Sequence, residues 1–198
     1  MTDNVLIETD RLFIRSPEEG DIEPLNLVIN RSLSELQRWM PWAHDPSLKA
    51  TRKFVRTAIK QLKSKKQPDL PLIVVLKSNR EIIAATGYND RSDLEVPFCE
   101  IGYWLDTQCT GQGYATEFTA ALTKLAFSYF GAIRVQIKTQ EQNKKSQAVA
   151  ERCGYILEAC LKNYCKDCLT GEPRNSFVYS MFSMDQLKVN PTVIVHSI

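Results

Sequence analysis

Hydrophobic residues recur along the chain at two spacings, and each spacing predicts a different kind of element. Intervals of three and four residues are typical of helices that bury one face. Such helices are predicted over 25–39, 54–62 and 115–129, with a shorter one over 146–152. Short runs rich in β-branched and aromatic residues predict strands. These runs cover residues 11–15, 70–76, 82–87, 98–105, 134–138, 155–160 and 177–182.

The order of these elements predicts the fold class. Strands occur before, between and after the helices, which predicts a single α/β (α+β) domain with a mixed sheet of six to seven strands and helices on both faces. The length of 198 residues suits one well-buried domain and is short for two. We therefore predict a domain over 1–188 and a C-terminal tail over 189–198, in which the segment 192–195 could pair with a partner.

Composition and charge narrow the class of protein. Hydrophobic residues make up 43% of the chain and charged residues 24%, as in ordinary soluble domains. A net charge of +2 provides no general basic field, which argues against nucleic acid as the main partner. No run approaches the ~18 consecutive apolar residues of a membrane span, and the N-terminus lacks the features of an export signal. We expect a cytoplasmic protein without a membrane segment.

The six cysteines are too few for a disulfide scaffold and are expected to be reduced thiols. Cys165 and Cys168 have a Cys-x-x-Cys spacing that also occurs in zinc sites, but no second pair and no histidine lies near them in the sequence. A loop with incidental thiols is the simpler interpretation, and we expect no metal site.

A glycine-rich turn follows the strand predicted at 98–105 and opens the helix predicted at 115–129. It begins at Gln108 and contains Gly111 and Gly113. Two glycines one residue apart let the backbone approach a bulky anion closely, and the helix directs its unpaired N–H groups and positive dipole end at that anion. The turn therefore predicts a binding site for a pyrophosphate group.

The residues that follow the glycines argue against two common nucleotide folds. A P-loop needs Lys and then Ser or Thr after its last glycine, whereas Tyr114 and Ala115 occupy those positions. A dinucleotide-binding fingerprint needs a third small residue, and Thr116 stands in its place.

The turn fits the pattern Gln/Arg-x-x-Gly-x-Gly/Ala, and in it the chain resembles the GCN5-related N-acetyltransferase (GNAT) superfamily. The resemblance runs from about Leu6 to Met184 and is nearest to the Rim-type enzymes that acetylate the N-termini of ribosomal proteins. Four segments occur in the family order. They are residues 100–105, the turn 108–113, residues 143–146 and residues 153–155.

The resemblance implies a mostly antiparallel sheet whose fourth and fifth predicted strands, 98–105 and 134–138, splay apart into a V that holds acetyl-CoA. It implies that backbone groups of the glycine turn and helix start bind the phosphates, and that Leu105 pairs with the pantetheine arm as an added strand would. The resemblance makes Asn143 and Ser146 cofactor contacts, whereas the residues alone favour a plain helix cap. The implied cofactor-binding residues are Leu105, Gln108, Gly111, Gly113, Tyr114, Ala115, Asn143 and Ser146.

The chemistry of acetyl transfer needs a neutral amine and a proton for the departing thiolate. Glu100 is a candidate general base, with a surface carboxylate on a strand edge as the alternative. Ser146 would lie near the thiol as a proton donor. Tyr164 could supply a proton or line the acceptor channel, or it could be a packed aromatic. Rim-type enzymes carry a catalytic glutamate where this chain has Cys165, so the chain departs from the family there.

The acceptor is predicted to be an N-terminal α-amine, because its pKa of ~7.8 leaves about a tenth of it neutral at pH 7, whereas a lysine amine with a pKa of ~10.4 needs a strong base. Residues 39–42, which include Trp39 and Trp42, could wall a peptide channel or plug two helices together. Three lysines could contact the CoA 3′-phosphate or be solvated: Lys138, Lys144 and Lys145. Two alternative functions are an acetyltransferase that acts on a small amine and a module that binds CoA without catalysis. The protein could be a monomer or a homodimer.

Overall fold

A computed structural model describes residues 5–62, 69–89, 92–93 and 95–197, which form five α-helices and nine β-strands. The helices are α1 (Ile22–Arg31), α2 (Leu33–Trp39), α3 (Leu48–Leu62), α4 (Tyr114–Ser128) and α5 (Lys144–Cys153). The strands are β1 (Leu6–Glu8), β2 (Leu12–Arg15), β3 (Leu70–Leu76), β4 (Ile82–Tyr88), β5 (Phe98–Leu105), β6 (Arg134–Gln140), β7 (Ile156–Lys166), β8 (Pro173–Met181) and β9 (Ile194–Ser197).

All nine strands belong to one mixed sheet with the order β7-β8-β6-β5-β4-β3-β2-β1-β9. Neighbouring strands pair antiparallel, except β5 and β6, which run parallel. The predicted mixed, mostly antiparallel sheet is confirmed, but it is wider than the six to seven strands expected. The two missed strands, β1 and β9, are only three and four residues long, too short to show a clear pattern.

The parallel pair β5–β6 separates along its length. Residues 98–100 pair with residues 134–136, and the pairing ends at Glu100 and Gln136. Beyond that point β5 stays paired with β4, and β6 stays paired with β8. The splay predicted between the strands at 98–105 and 134–138 is therefore present, and it leaves a V-shaped gap in the middle of the sheet.

Apolar side chains pack on both faces of the sheet. On one face α4 and α5 cover a core that includes Phe118, Leu122 and Ile137. On the other face α1, α2 and α3 cover a second core that includes Leu25 and Val55. Successive side chains of β5 point to opposite faces. At the edge of the gap, β5 therefore presents side chains on both faces of the sheet.

Two element boundaries differ from the sequence prediction. The helix predicted over 25–39 is two helices, because Ser32 leaves helical geometry and uses its buried hydroxyl to bond residues 106 and 107. The strand predicted over 155–160 continues to Lys166, because it pairs with β8 along most of that length. Cys165 consequently lies in a strand and not in a loop.

The predicted tail is part of the sheet. Its strand β9 pairs with the chain's own β1, and Val189 and Val193 pack against the core beneath α4. The carbonyl oxygen of Pro191 accepts a hydrogen bond from the Lys124 ammonium at 2.6 Å.

Removal of residues 189–198 is expected to lower the melting temperature by about 5 °C or more, because β1 loses one of its two strand partners and apolar side chains become exposed. Circular dichroism during heating measures the change. The control is His196→Ala, which breaks an exposed 2.9 Å pair with Glu8 but keeps the strand. That variant is expected to melt within about 2 °C of the parent. Equal melting of the truncated and full chains would contradict the structural role of the tail.

Candidate active site

A cavity of about 1650 Å³ lies at the gap between β5 and β6. One part of its wall comes from the glycine turn and the first turns of α4 and α5, and the other part comes from α1, α2 and α3. These helices cover opposite faces of the sheet, so the cavity passes through it. Two molecules can therefore approach from opposite sides and meet at the gap.

The glycine turn has the geometry that a bound anion requires. Gly111 and Gly113 adopt left-handed backbone conformations, with φ of 78° and 83°. Apart from the neighbours of Gly111 in sequence, no atom of the described residues lies within 4 Å of an added Cβ, so the space above this glycine is open. Tyr114 and Ala115, which begin α4, line the cavity beside the two glycines. The turn thus brings four of the predicted phosphate-binding residues together.

The turn is held by a carboxylate that the sequence analysis did not identify. Asp106 directly follows β5, is 0% exposed and pairs with the Arg31 guanidinium. It also accepts hydrogen bonds from the Ser32 hydroxyl and the Gln108 N–H, each at 3.1 Å. The backbone of Gln108 is thus fixed within the turn. Gln108 was predicted to bind the cofactor, but it is not among the residues that line the cavity.

A second unpredicted network joins the start of α4 to the turn between β1 and β2. The buried carboxylate of Glu117 accepts hydrogen bonds from the Thr9 hydroxyl and the Arg11 Nε, each at 2.6 Å. The same guanidinium donates to the carbonyl oxygen of Gln112 at 2.9 Å. Arg11 therefore neutralises an acidic residue in the first turn of α4, where an unpaired carboxylate would repel a phosphate.

Asn143 and Ser146 are both a helix cap and part of the cavity wall. The Asn143 side chain accepts a hydrogen bond from the Ser146 N–H at 3.1 Å, which caps α5. The Ser146 hydroxyl lies 2.9 Å from the Tyr103 hydroxyl on β5. Burial raises the pKa of Tyr103, although its bond to Ser146 opposes the shift, so this phenol stays protonated at physiological pH. The two hydroxyls link α5 to β5 across one face of the V.

Glu100 lies at the vertex of the V, where β5 and β6 separate. It is 3% exposed, so the alternative of a surface carboxylate is wrong. Its carboxylate accepts hydrogen bonds from the side-chain amides of Asn89, at 2.6 Å, and Gln136. The Lys138 ammonium lies 3.7 Å from the same group. Glu100 also lines the cavity, so its carboxylate is accessible from the gap at the point where the two strands part.

Tyr164 lies outside the cavity wall, contrary to the expectation that it could line the acceptor channel. It stands half exposed on β7, and its hydroxyl accepts a hydrogen bond from Lys138 Nζ at 3.4 Å. The neighbouring Cys165 thiol lies 3.4 Å from the hydroxyl of Ser176, a cavity-lining residue on β8. Cys165, which occupies the position of the expected family glutamate, therefore lies at the edge of the site.

Residues 39–42 line the cavity on the side of α1, α2 and α3. Within this segment, the Trp42 ring lies 6.1 Å from that of Trp104 on β5, measured between ring centroids. The Trp39 carbonyl oxygen accepts a hydrogen bond from Gln140 of β6 at 3.3 Å. The aromatic segment consequently spans the gap between the two diverging strands. Lys145, one of the three lysines considered for the CoA phosphate, also lines the cavity and pairs with Glu35 at 3.0 Å.

In the part of the chain that the structure describes, no group of three or more His, Cys, Asp or Glu side chains is placed to hold a metal ion. No helix in the same part has the length and apolar character to span a membrane.

The chain belongs to the GNAT family, since residues 11–156 match the model of the acetyltransferase (GNAT) domain. The structure agrees, because a parted parallel strand pair beside a glycine turn is what the resemblance implied. The protein is therefore an acetyl-CoA-dependent N-acetyltransferase.

Named relatives confirm the predicted Rim-type resemblance. The ribosomal-protein-serine acetyltransferase of Escherichia coli (strain K12) is 28% identical over 163 residues, which cover 82% of this chain and 88% of that protein. One solved structure is RimL, a ribosomal L7/L12 α-N-protein acetyltransferase in complex with coenzyme A. It superimposes with a TM-score of 0.78 at 24% identity, over 89% of this chain and 99% of the RimL chain. The structure of the microcin C7 self-immunity acetyltransferase MccE, in complex with acetyl-CoA and AMP, is also similar. Its TM-score is 0.79 at 26% identity, and the match covers 88% of this chain and 93% of the MccE chain.

Substitution of Gly111 by Ala is expected to weaken CoA binding about tenfold, because the new methyl group enters the open space above the turn and the left-handed backbone becomes strained. Isothermal titration with CoA measures the dissociation constant. Gly171→Ala is the matched control, since Gly171 has the same φ of 78° and open space around its Cβ but does not line the cavity. Equal affinity in the two variants would refute the role assigned to Gly111.

Asp106→Asn is expected to destabilise the protein by about 2–3 kcal/mol and to weaken CoA binding, because it leaves the Arg31 guanidinium without its charged partner. Urea unfolding measures the loss. Glu19→Gln serves as the control, since it breaks a 3.0 Å pair with Arg56 in which both side chains are more than half exposed. The control is expected to lose less than about 1 kcal/mol. Similar losses in both variants would show that Asp106 does not support the turn.

Proposed function

We propose that this chain acetylates the N-terminal α-amine of a protein, such as a ribosomal protein, in the cytoplasm. The cavity that passes through the sheet carries the proposal, because it gives acetyl-CoA and a polypeptide end separate entrances. The end of a chain is narrow enough to reach the gap between β5 and β6. The names of the relatives from Escherichia coli and of RimL support a ribosomal acceptor.

In this proposal the residues of one face bind the cofactor. Acetyl-CoA supplies the acetyl group as a reactive thioester. The N–H groups of Gly111, Gly113, Tyr114 and Ala115 bind the pyrophosphate at the start of α4. The edge of β5 that faces the gap, with Leu105 at its end, pairs with the amides of the pantetheine arm as a neighbouring strand would. Asn143 and Ser146 contact the arm from α5.

Two side chains move or hold protons at the gap. Glu100 accepts a proton from the acceptor amine, directly or through a water molecule. The Ser146 hydroxyl, which is positioned by Tyr103, donates a hydrogen bond to the departing sulfur. Both substrates are bound together and the acetyl group moves directly from one to the other. Tyr164 acts on the site through Lys138, because its hydroxyl accepts a hydrogen bond from the ammonium that lies beside Glu100.

The available base favours an α-amine over a lysine side chain. Amide groups of Asn89 and Gln136 already bond both oxygens of Glu100, and Cys165 stands where a glutamate was expected. An α-amine with a pKa of ~7.8 is about a tenth neutral at pH 7 and needs little assistance. A lysine amine with a pKa of ~10.4 is neutral in less than about one molecule in a thousand.

A small amine is the second candidate acceptor. It is favoured by the likeness to the microcin C7 self-immunity acetyltransferase, whose name refers to microcin C7 and to no ribosomal protein. A module that binds CoA without turnover is the third candidate, and the thiol at position 165 is the reason to consider it.

Thiol release from acetyl-CoA is expected with peptides that have a free N-terminus and not with polyamines or aminoglycosides. Glu100→Gln should lower kcat about 100-fold, because the isosteric amide cannot accept the proton. The control is Glu95→Gln at an exposed residue outside the cavity wall, which should keep full turnover. Turnover of a polyamine alone would contradict the α-amine proposal, and CoA binding without any thiol release would favour the inactive module.

A further inference from the structure

The acceptor side of the cavity has a wall of large apolar side chains. Met40, Trp42, Phe54 and Trp104 all line the cavity on the face covered by α1, α2 and α3, and we call them the aromatic wall. Trp42 is 44% exposed and Phe54 is 40% exposed. Folded proteins rarely leave large aromatic side chains open to a cavity of this size without a ligand to cover them.

The carboxylates on this side already have partners within the chain. Glu35 pairs with Lys145 at 3.0 Å, Asp69 accepts a hydrogen bond from the Gln61 side chain at 2.9 Å, and Asp45 accepts one from the Ser47 N–H at 3.2 Å. Glu35 is thus neutralised by a cation, whereas these bonds to Asp69 and Asp45 come from uncharged donors. The large side chains that line this side of the cavity are nevertheless apolar and aromatic.

The wall lies within reach of the first few residues of a bound polypeptide. Trp104 is four residues beyond Glu100 on the same strand, which corresponds to about 13 Å at a rise of ~3.3 Å per residue. An extended polypeptide whose amine lies near Glu100 covers that distance with about its first four residues. Trp42, whose ring centroid lies 6.1 Å from that of Trp104, would then be beside its second to fourth side chains, and Phe54 lines the same side of the cavity.

We propose that the aromatic wall binds apolar side chains at positions two to four of the acceptor, so that the enzyme selects N-termini followed by apolar residues. This inference rests on the proposed function, because it assumes a polypeptide acceptor. It adds the chemical class of the acceptor sequence, which neither the glycine turn nor Glu100 determines.

The test compares kcat/KM for peptides that share the same first residue and carry leucine and phenylalanine, serine, lysine or aspartate at positions two to four. The apolar peptide is expected to be acetylated at least tenfold more efficiently than the others. Trp42→Ala and Phe54→Ala should each lower kcat/KM for the apolar peptide about tenfold, mainly through KM, and leave the serine peptide unchanged. CoA affinity, measured by titration, should stay at the parent value in both variants.

Tyr129→Ala is the matched control, since Tyr129 is an exposed aromatic residue at the end of α4 that does not line the cavity. It should leave every kcat/KM unchanged. Similar turnover of all four peptides would support the proposed function and overturn the inference. An equal loss on the apolar and serine peptides in the wall variants would also overturn it, because it would indicate a structural effect. Silence on every peptide would refute both proposals.

Discussion

The separation of β5 from β6 is the constraint on which the rest of the structure depends. A sheet gains stability from continuous backbone pairing, and ending that pairing in the middle leaves N–H and C=O groups without strand partners. Here the break coincides with the buried carboxylate of Glu100, whose oxygens receive hydrogen bonds from amides on both sides of the gap. A charged group buried in this way is tolerated only because it is bonded. The cavity, its two entrances and the candidate base all arise from this one interruption.

The gap would be of little use if the glycine turn beside it could move. Two buried carboxylates fix that turn to different parts of the chain. Asp106 ties the end of β5 to Arg31 and Ser32 between α1 and α2, and Glu117 ties the start of α4 to Arg11. Each carboxylate is near a site for a negatively charged ligand, and each is neutralised by an arginine. The two carboxylates can therefore hold the glycine turn in place without repelling an anion that binds to it.

Much of the fold was predictable, because the strands and helices that form the core are long and regular in pattern. The glycine turn was predictable for a different reason, since few sequences place two glycines between a strand and an amphipathic helix. Contacts between distant segments were not. Ser32 looks like an ordinary helix residue until its hydroxyl meets Asp106 about 75 positions away. Tyr103 looks like a core aromatic until its hydroxyl meets Ser146. The contact of Tyr164 with Lys138 was equally hidden, because β7 continues beyond the predicted strand and pairs with β8 there.

The closure of the sheet by β9 brings the two ends of the described chain together. Leu6 of β1 pairs with Ser197 of β9 at one edge of the sheet. Five strand-to-strand steps separate that edge from β5, which is about 24 Å at a spacing of ~4.8 Å. A tag or surface linker joined to Leu6 or Ser197 would thus extend from the β9 edge of the sheet, five strands away from β5. The pairing of β1 with β9 therefore allows both ends of the described chain to be attached at one place without interrupting the strands that form the gap.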